Sequence, residues 1–350
     1  MIGAIRVMVV DASLESRSMV KQVLSSDPGV SVVGTTSDGR SAVELVLKTR
    51  PKVIVFGLGE EGSDCFFAVR KIMAHCPTAI LLLANPGRSQ GEMVAYLLAA
   101  GALDAIERPR QLNNRIDGAF ASQLIDRVKL LSRVPVITHI AGKLQLDAGV
   151  VDFSPVGSLA RADNRYAVAI VASTGGPMAL TSVLSDLPAD LNAPVLVVQH
   201  IATGFVEGMV DWFKQHCRLK VRVARNSDKI EPGIVLVAPG GFDMGIDSNF
   251  TIKLDKSAAH SHLKPAGDSL FKTMADVYGE KAIGVILTGM GNDGTLGAAF
   301  IKRSGGRVIA QDKATSAIFG MPQAAIEAGV VDEILPLQLI SKKLVEWIGR

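Results

Sequence analysis

Three segments of this sequence end in residues suited to acyl transfer. The apolar run YAVAIVA (166–172) leads straight into Ser173-Thr174-Gly175-Gly176-Pro177, a strand exit followed by a helix with proline in its first turn. A serine on so tight a turn is exposed. Its flanking glycines let a substrate carbonyl approach the backbone, and the first N–H groups of the helix face a developing oxyanion. The arrangement is similar to a nucleophile elbow, with Ala172 where the elbow has glycine. His200 closes the next run, PVLVVQH (194–200). An imidazole titrates near about pH 6.5, so it can take the serine proton and return it to the leaving group. Asp293 follows a third run, AIGVILTGM (282–290), and is expected to accept Nδ1–H of His200 and stabilise the imidazolium. The order Ser, His, Asp matches no familiar triad, but triads are defined by geometry rather than chain order.

Each residue also has an ordinary reading: Ser173 as a helix N-cap, His200 as a structural histidine, Asp293 as a loop cap. A rival chemistry lies in the same segment. Gly289-Met290-Gly291-Asn292-Asp293-Gly294 is literally G-x-G-x-x-G between a strand and a helix. Asp312 ends the next strand at about the separation, roughly 20 residues, of a ribose-binding acid. Against a dinucleotide site, Asp293 would set a carboxylate beside a pyrophosphate, and Ser173 and His200 would go unexplained. His260 and His262 form an H-x-H in a polar stretch; without a third nearby ligand a solvated loop is the simpler reading than a metal site. Trp212 and Phe213 lie on an amphipathic helix and are expected in the core.

The elements that must position these residues alternate. IRVMVV, VSVVG, KVIVFGL, TAILLLA and ALDAIER are separated by helical stretches near 14–25, 40–49, 64–75 and 90–99, and a last helix is expected near 111–131. Continuous Val/Ile/Leu strands between helices call for a parallel sheet covered on both faces, here (βα)5. Periodicity lapses over 132–164, read as an interdomain linker. A second alternating series then runs through the three site strands together with LKVRVA (219–224), IVLVAPGG (234–241), RVIAQD (307–312) and VDEILP (331–336). It predicts a doubly wound, mainly parallel α/β domain over 165–350, with an antiparallel hairpin over 242–256 added to its sheet.

At 350 residues the chain is long enough for two domains, each with its own core. A near-neutral net charge of +3 without a dense Lys/Arg run argues against nucleic acid as a partner. Cys65, Cys76 and Cys217 are odd in number and lack C-x-x-C spacing, which suits a reducing cytoplasm better than a disulfide framework or zinc site. The N-terminal run lacks a cleavage-type site, and no apolar stretch reaches the roughly 18 residues needed to embed in a membrane.

Across 165–350 the sequence resembles the catalytic domain of the chemotaxis protein-glutamate methylesterases, the CheB family. The likeness runs through VASTGGP (171–177), VVQHIATGF (197–205), PGIVLVAPGG (232–241), AIGVILTGMGNDG (282–294) and AQDKATSAIFGMPQAAIEAG (310–329). It implies hydrolysis of glutamate γ-methyl esters on chemoreceptor-type proteins, often with deamidation of receptor glutamines, and needs no cofactor. Nucleophile, base and orienting acid fall on Ser173, His200 and Asp293, and the oxyanion and substrate pocket on Thr174 and Met290.

Residues 1–131 resemble the family's flavodoxin-like receiver domain in length and strand pattern, and imply a signalling partner such as a histidine kinase. The receiver's chemistry is missing. Such a domain needs oxygen ligands for Mg²⁺ and an acceptor aspartate. Here the first strand exit keeps one acid, Asp11, and Gly57 stands at the acceptor position. Ala84 replaces the hydroxyl residue and Arg108 the lysine before proline. Asp64, in the following segment, is better explained as a helix cap than as a displaced acceptor. The expectation is a pseudo-receiver that docks a partner or sets access to Ser173. A non-catalytic signalling adaptor with the same fold stays open, as does the dinucleotide-dependent oxidoreductase.

Overall fold

The computed structural model describes residues 4–59, 63–109, 117–134, 136, 165–257 and 264–349. Strands Ile5–Val10 (β1), Val30–Thr36 (β2), Val53–Gly57 (β3), Ala79–Ala84 (β4) and Asp104–Glu107 (β5) form a parallel sheet of order β2-β1-β3-β4-β5. Helices Leu14–Ser25 (α1), Gly39–Thr49 (α2), Ser63–His75 (α3), Arg88–Ala99 (α4) and Gly118–Leu131 (α5) cover it. Strand periodicity decides which face each residue feeds. Met8, Val10, Ile54, Phe56, Ile80 and Leu82 pack with α2, α3 and α4. Their neighbours Val7, Val9, Val53, Val55, Leu81 and Leu83 pack with α1 and α5. Both faces are buried, which is why these strands read as unbroken apolar runs.

The second sheet has seven parallel strands in the order β14-β13-β12-β6-β7-β9-β8. They are Ala167–Ala172 (β6), Val195–Gln199 (β7), Lys220–Val223 (β8), Ile234–Val237 (β9), Ala282–Ile286 (β12), Arg307–Gln311 (β13) and Glu333–Leu335 (β14). Gly176–Ser185 (α6), Val206–His216 (α7), Gly267–Tyr278 (α8), Thr295–Arg303 (α9), Met321–Glu327 (α10) and Leu337–Ile348 (α11) flank it. The chain winds outward from β6 through β7 and later returns to pair β12 on the other side of β6. The carboxyl ends of β7, β6 and β12 therefore meet at a topological switch point, where open α/β sheets hold their ligands.

One expectation needs correction. Asp243–Ile246 (β10) and Ile252–Asp255 (β11) do form an antiparallel hairpin, but it is a separate two-stranded sheet rather than an extension of the large one. Met244, Ile246 and Ile252 are buried with Leu270 and Met274 of α8, so the hairpin closes over the face of the sheet instead of lengthening its edge. The linker assigned to 132–164 lies almost wholly outside the described residues, as do His260 and His262. Trp212 and Phe213 are core residues. No described helix is long and apolar enough to cross a membrane.

Candidate active site

Ser173 is the first residue beyond β6. Its amide donates to the Thr288 carbonyl at 3.0 Å, and its own carbonyl accepts the Gly176 N–H at 2.8 Å. Gly175 makes the turn at φ +75°, a conformation open to glycine, and Pro177 stands in the first turn of α6. Contrary to the exposure expected of so tight a turn, Ser173 and Thr174 are both nearly buried. Among the described residues, every hydrogen bond of Ser173 is made by its main chain, so the hydroxyl is uncommitted.

His200 is the first residue beyond β7 and its amide donates to Ala172 O at 2.9 Å. Its Nε2 lies 2.8 Å from Asp293 Oδ2, with both side chains largely buried. Here too an expectation is corrected: Nε2, not Nδ1, meets the carboxylate, which leaves Nδ1 as the ring nitrogen available to the serine. Asp293 is itself firmly held. Its Oδ2 accepts the Gly267 N–H at 2.6 Å, and its Oδ1 accepts the amides of Asp268 and Gly294, each at 3.0 Å. These donors open α8 and α9, so the carboxylate is clamped on two helix N-termini before the imidazole meets it. Burial opposes the ionisation of Asp293, but the hydrogen bonds from His200 and from the Gly267 and Asp268 amides hold the carboxyl below the usual range.

The glycines of GMGNDG shape this loop. Gly291 and Gly294 have φ of +90° and +89°, and Gly289 packs against the Ser173 Cβ. A pyrophosphate would need the first amides of α9, but Gly294 N–H is taken by Asp293 and Gly297 N–H by Asp268 Oδ1 at 2.7 Å. Asp312 is also engaged, accepting the Thr315 amide at 2.9 Å and hydroxyl at 2.6 Å. Among the described residues, the Gly294 and Gly297 amides and the Asp312 carboxylate that a dinucleotide would use are therefore already engaged. Met290 stands on the rim, 54% exposed.

Three residues at this site were not singled out from sequence. Gln199 and Gln311 are buried at the ends of strands whose other buried residues are apolar, and that break in composition was the available signal. Gln311 Oε1 accepts the Thr288 amide at 2.8 Å, and Thr288 Oγ1 lies 3.0 Å from the Thr174 carbonyl. The third, Asp104 of β5, comes from the other sheet. Thr174 Oγ1 donates to Asp104 Oδ2 at 3.3 Å, Arg127 pairs with the same oxygen at 3.1 Å, and the Gly175 N–H donates to Leu103 O at 3.0 Å. Burial pushes the Asp104 carboxyl up, against the opposing pull of Arg127. Helices α4 and α7 extend this interface. Gly91 and Gly208 lie backbone to backbone, Arg88 pairs with Asp211 at 2.7 Å, and Tyr96 meets Trp212 edge-on at 5.2 Å.

Around Gly57, Arg108 reaches Asp11 Oδ2 at 2.8 Å and the Leu58 carbonyl at 3.1 Å. Ser16 Oγ donates to the same Asp11 oxygen at 2.7 Å. A Cβ at Gly57 would overlap both Asp11 and Arg108, so the ion pair fills the space any side chain at position 57 would need.

Residues 168–344 match the family model described as CheB methylesterase. A protein-glutamate methylesterase/protein-glutamine glutaminase 2 of Anaeromyxobacter dehalogenans (strain 2CP-C) is 39% identical over 98% of this chain and 96% of its own. A protein-glutamate methylesterase/protein-glutamine glutaminase 3 of Myxococcus xanthus (strain DK1622) is 36% identical over 98% of this chain and 93% of its own. The Thermotoga maritima CheB methylesterase catalytic domain, 40% identical, aligns with a TM-score of 0.52 over 53% of this chain and 100% of its own. Site strands, switch-point position and relatives spanning nearly the whole chain agree: this chain belongs to the CheB methylesterase family.

Proposed function

We propose that this protein hydrolyses glutamate γ-methyl esters on chemoreceptor-type proteins, with Ser173 as nucleophile, His200 as base and Asp293 orienting it. The observation that carries the reading is the clamped His200–Asp293 pair beside an uncommitted serine hydroxyl at the switch point. Ser173 Oγ attacks the ester carbonyl while Nδ1 of His200 takes its proton. The tetrahedral intermediate collapses, breaking the C–O bond, and methanol leaves with that proton. Water then attacks the acyl-Ser173 ester through the same base, freeing the glutamate carboxylate. Thr174 and Met290 line the oxyanion pocket in this reading, and a glutamine amide would follow the same route with ammonia leaving. The Ser173–His200 hydrogen bond closes when substrate binds. Methanol release from methylated receptors by the full chain, with Ser173→Ala as control, tests the reading; no release by the folded wild-type protein would favour the non-catalytic adaptor.

Residues 1–131 act in this reading as a pseudo-receiver that sets access to Ser173 and docks a signalling partner. With Gly57 at the acceptor position and Arg108 on Asp11, incubation with Mg²⁺ and a small phosphodonor is expected to leave no aspartyl-phosphate there; a stable adduct would refute this. Gly57→Asp is not expected to restore phosphorylation. It forces a second carboxylate onto Asp11 and should lower stability by on the order of 3 kcal/mol, read as a drop in thermal midpoint.

The Leu103 carbonyl and Asp104 carboxylate occupy the Gly175 N–H and Thr174 hydroxyl, both beside the nucleophile. Gly208→Ala tests whether this contact restricts access. The added methyl would overlap the backbone of Gly91 and Glu92, while alanine itself favours the helix. Labelling of Ser173 by a serine-directed phosphonate should speed up severalfold; an unchanged rate would count against restricted access.

A further inference from the structure

We propose that Gln199 is a positioning residue that holds the nucleophile and the base in register through their main chains. The inference rests on the methylesterase reading and concerns a side chain that takes no direct part in the chemistry. Gln199 ends β7 and is 3% exposed, after four fully buried apolar residues, Val195 to Val198. It pairs in register with Ala172, the residue before Ser173, and itself precedes His200. Its side-chain amide therefore sits between the two strand exits that carry the catalytic residues.

That amide spans them. Nε2 donates to the Ser173 carbonyl at 2.9 Å and to the His200 carbonyl at 3.0 Å. Both of its protons are used, one on each residue. The reversed orientation is ruled out because it would set an oxygen against two carbonyl oxygens. The Ser173 carbonyl also accepts the Gly176 N–H, so the bridge extends into the turn that presents the hydroxyl.

The price of this arrangement is visible in the other half of the amide. Gln199 Oε1 is buried and has no hydrogen-bond partner among the described residues. It presses on Gly176, where a Cβ would overlap it. An apolar side chain of the same length would fill the site without stranding an acceptor, so packing alone does not account for a glutamine here. Register between the two exits does, since a shift of about 1 Å between reacting groups can lower a rate about 100-fold.

The test uses the full chain as wild type, Gln199→Met, Gln199→Glu and Ser173→Ala. Methanol release from methylated receptor gives kcat and KM, phosphonate labelling reports the reactivity of Ser173 without receptor, and thermal unfolding reports the fold. Gln199→Met keeps length and volume but loses both donors. It should lower kcat and the labelling rate by roughly 10- to 100-fold with KM within about twofold, at a thermal midpoint close to wild type.

Gln199→Glu adds a signature that packing would not produce. Ionised, the new carboxylate repels both carbonyls; protonated, it donates one hydrogen bond. Its kcat relative to wild type should therefore recover as pH falls, whereas the ratio for Gln199→Met stays flat. Should Gln199→Met fail to fold, this pH-dependent ratio decides the matter alone. Near-wild-type kcat in Gln199→Met, or a Gln199→Glu ratio flat with pH, overturns the assignment. Wild type inert toward both receptor ester and phosphonate would instead overturn the methylesterase reading on which the assignment rests.

Discussion

Ser173→Ala is expected to reduce methanol release by about 10⁴-fold or more, to near the uncatalysed level, while the protein stays folded. Both halves follow from the site. In the proposed mechanism the hydroxyl supplies the only atom that forms the acyl bond, and removing it leaves His200 and Asp293 with no nucleophile to activate. The main chain of Ser173 meanwhile carries its structural role, through the Thr288 carbonyl, the Gly176 amide and the Gln199 side chain. Alanine preserves all three contacts. Loss of activity with an unchanged thermal midpoint and far-UV circular dichroism is the expected outcome. Residual release above a few per cent would mean that another group attacks the ester.

Asp293→Asn is expected to lower kcat about 10³- to 10⁴-fold and, unlike Ser173→Ala, to destabilise the fold. The carboxylate accepts from four donors: His200 Nε2 and Gly267 N–H on Oδ2, Asp268 and Gly294 N–H on Oδ1. An amide group has one oxygen, so either orientation sets an NH₂ against at least one backbone N–H. One stranded donor costs about 1–3 kcal/mol. If the NH₂ faces His200, Nε2 must accept, the proton moves to Nδ1, and the nitrogen meant for the serine proton is blocked. The pH dependence has a definite sign. Because the Asp293 carboxyl is held below its unfolded value, its contribution to stability is present above the ordinary carboxylate range. It is lost as pH falls through the depressed folded value. Acid unfolding of Asp293→Asn should lack that component, measurable as a shallower decline in thermal midpoint with falling pH.

How far the sequence alone reaches differs from one residue to the next. β1, β3, β4, β6, β7 and β12 are readable because strands buried on both faces leave unbroken Val/Ile/Leu runs, and parallel order carries the ends of β6, β7 and β12 to one edge of their sheet. Ser173, His200 and Asp293 thus meet at that edge across sequence separations of 27 and 93 residues. The ring nitrogen that meets Asp293 was not readable, because the carboxylate is fixed by amides of Gly267 and Asp268, which no local pattern links to residue 293. The hairpin's alternation was visible, but the choice between sheet edge and sheet face depends on Met244 and Ile246 meeting α8.

Contacts between the two sheets were the least legible. Gly91 and Gly208 are ordinary helical glycines until α4 and α7 cross at them, and the Leu103 carbonyl carries no side-chain signature. Gln199 lay in plain view one residue before His200. A histidine at a strand end draws attention as a base, whereas a glutamine declares its role only once both of its acceptors are located.

Peptide mapping of the full-length protein after reaction with a serine-directed phosphonate locates the nucleophile directly. One stoichiometric adduct on Ser173 is expected, absent from Ser173→Ala and slowed in Asp293→Asn. Equal labelling of wild type and Ser173→Ala, or an adduct mapped to a different serine, would contradict it.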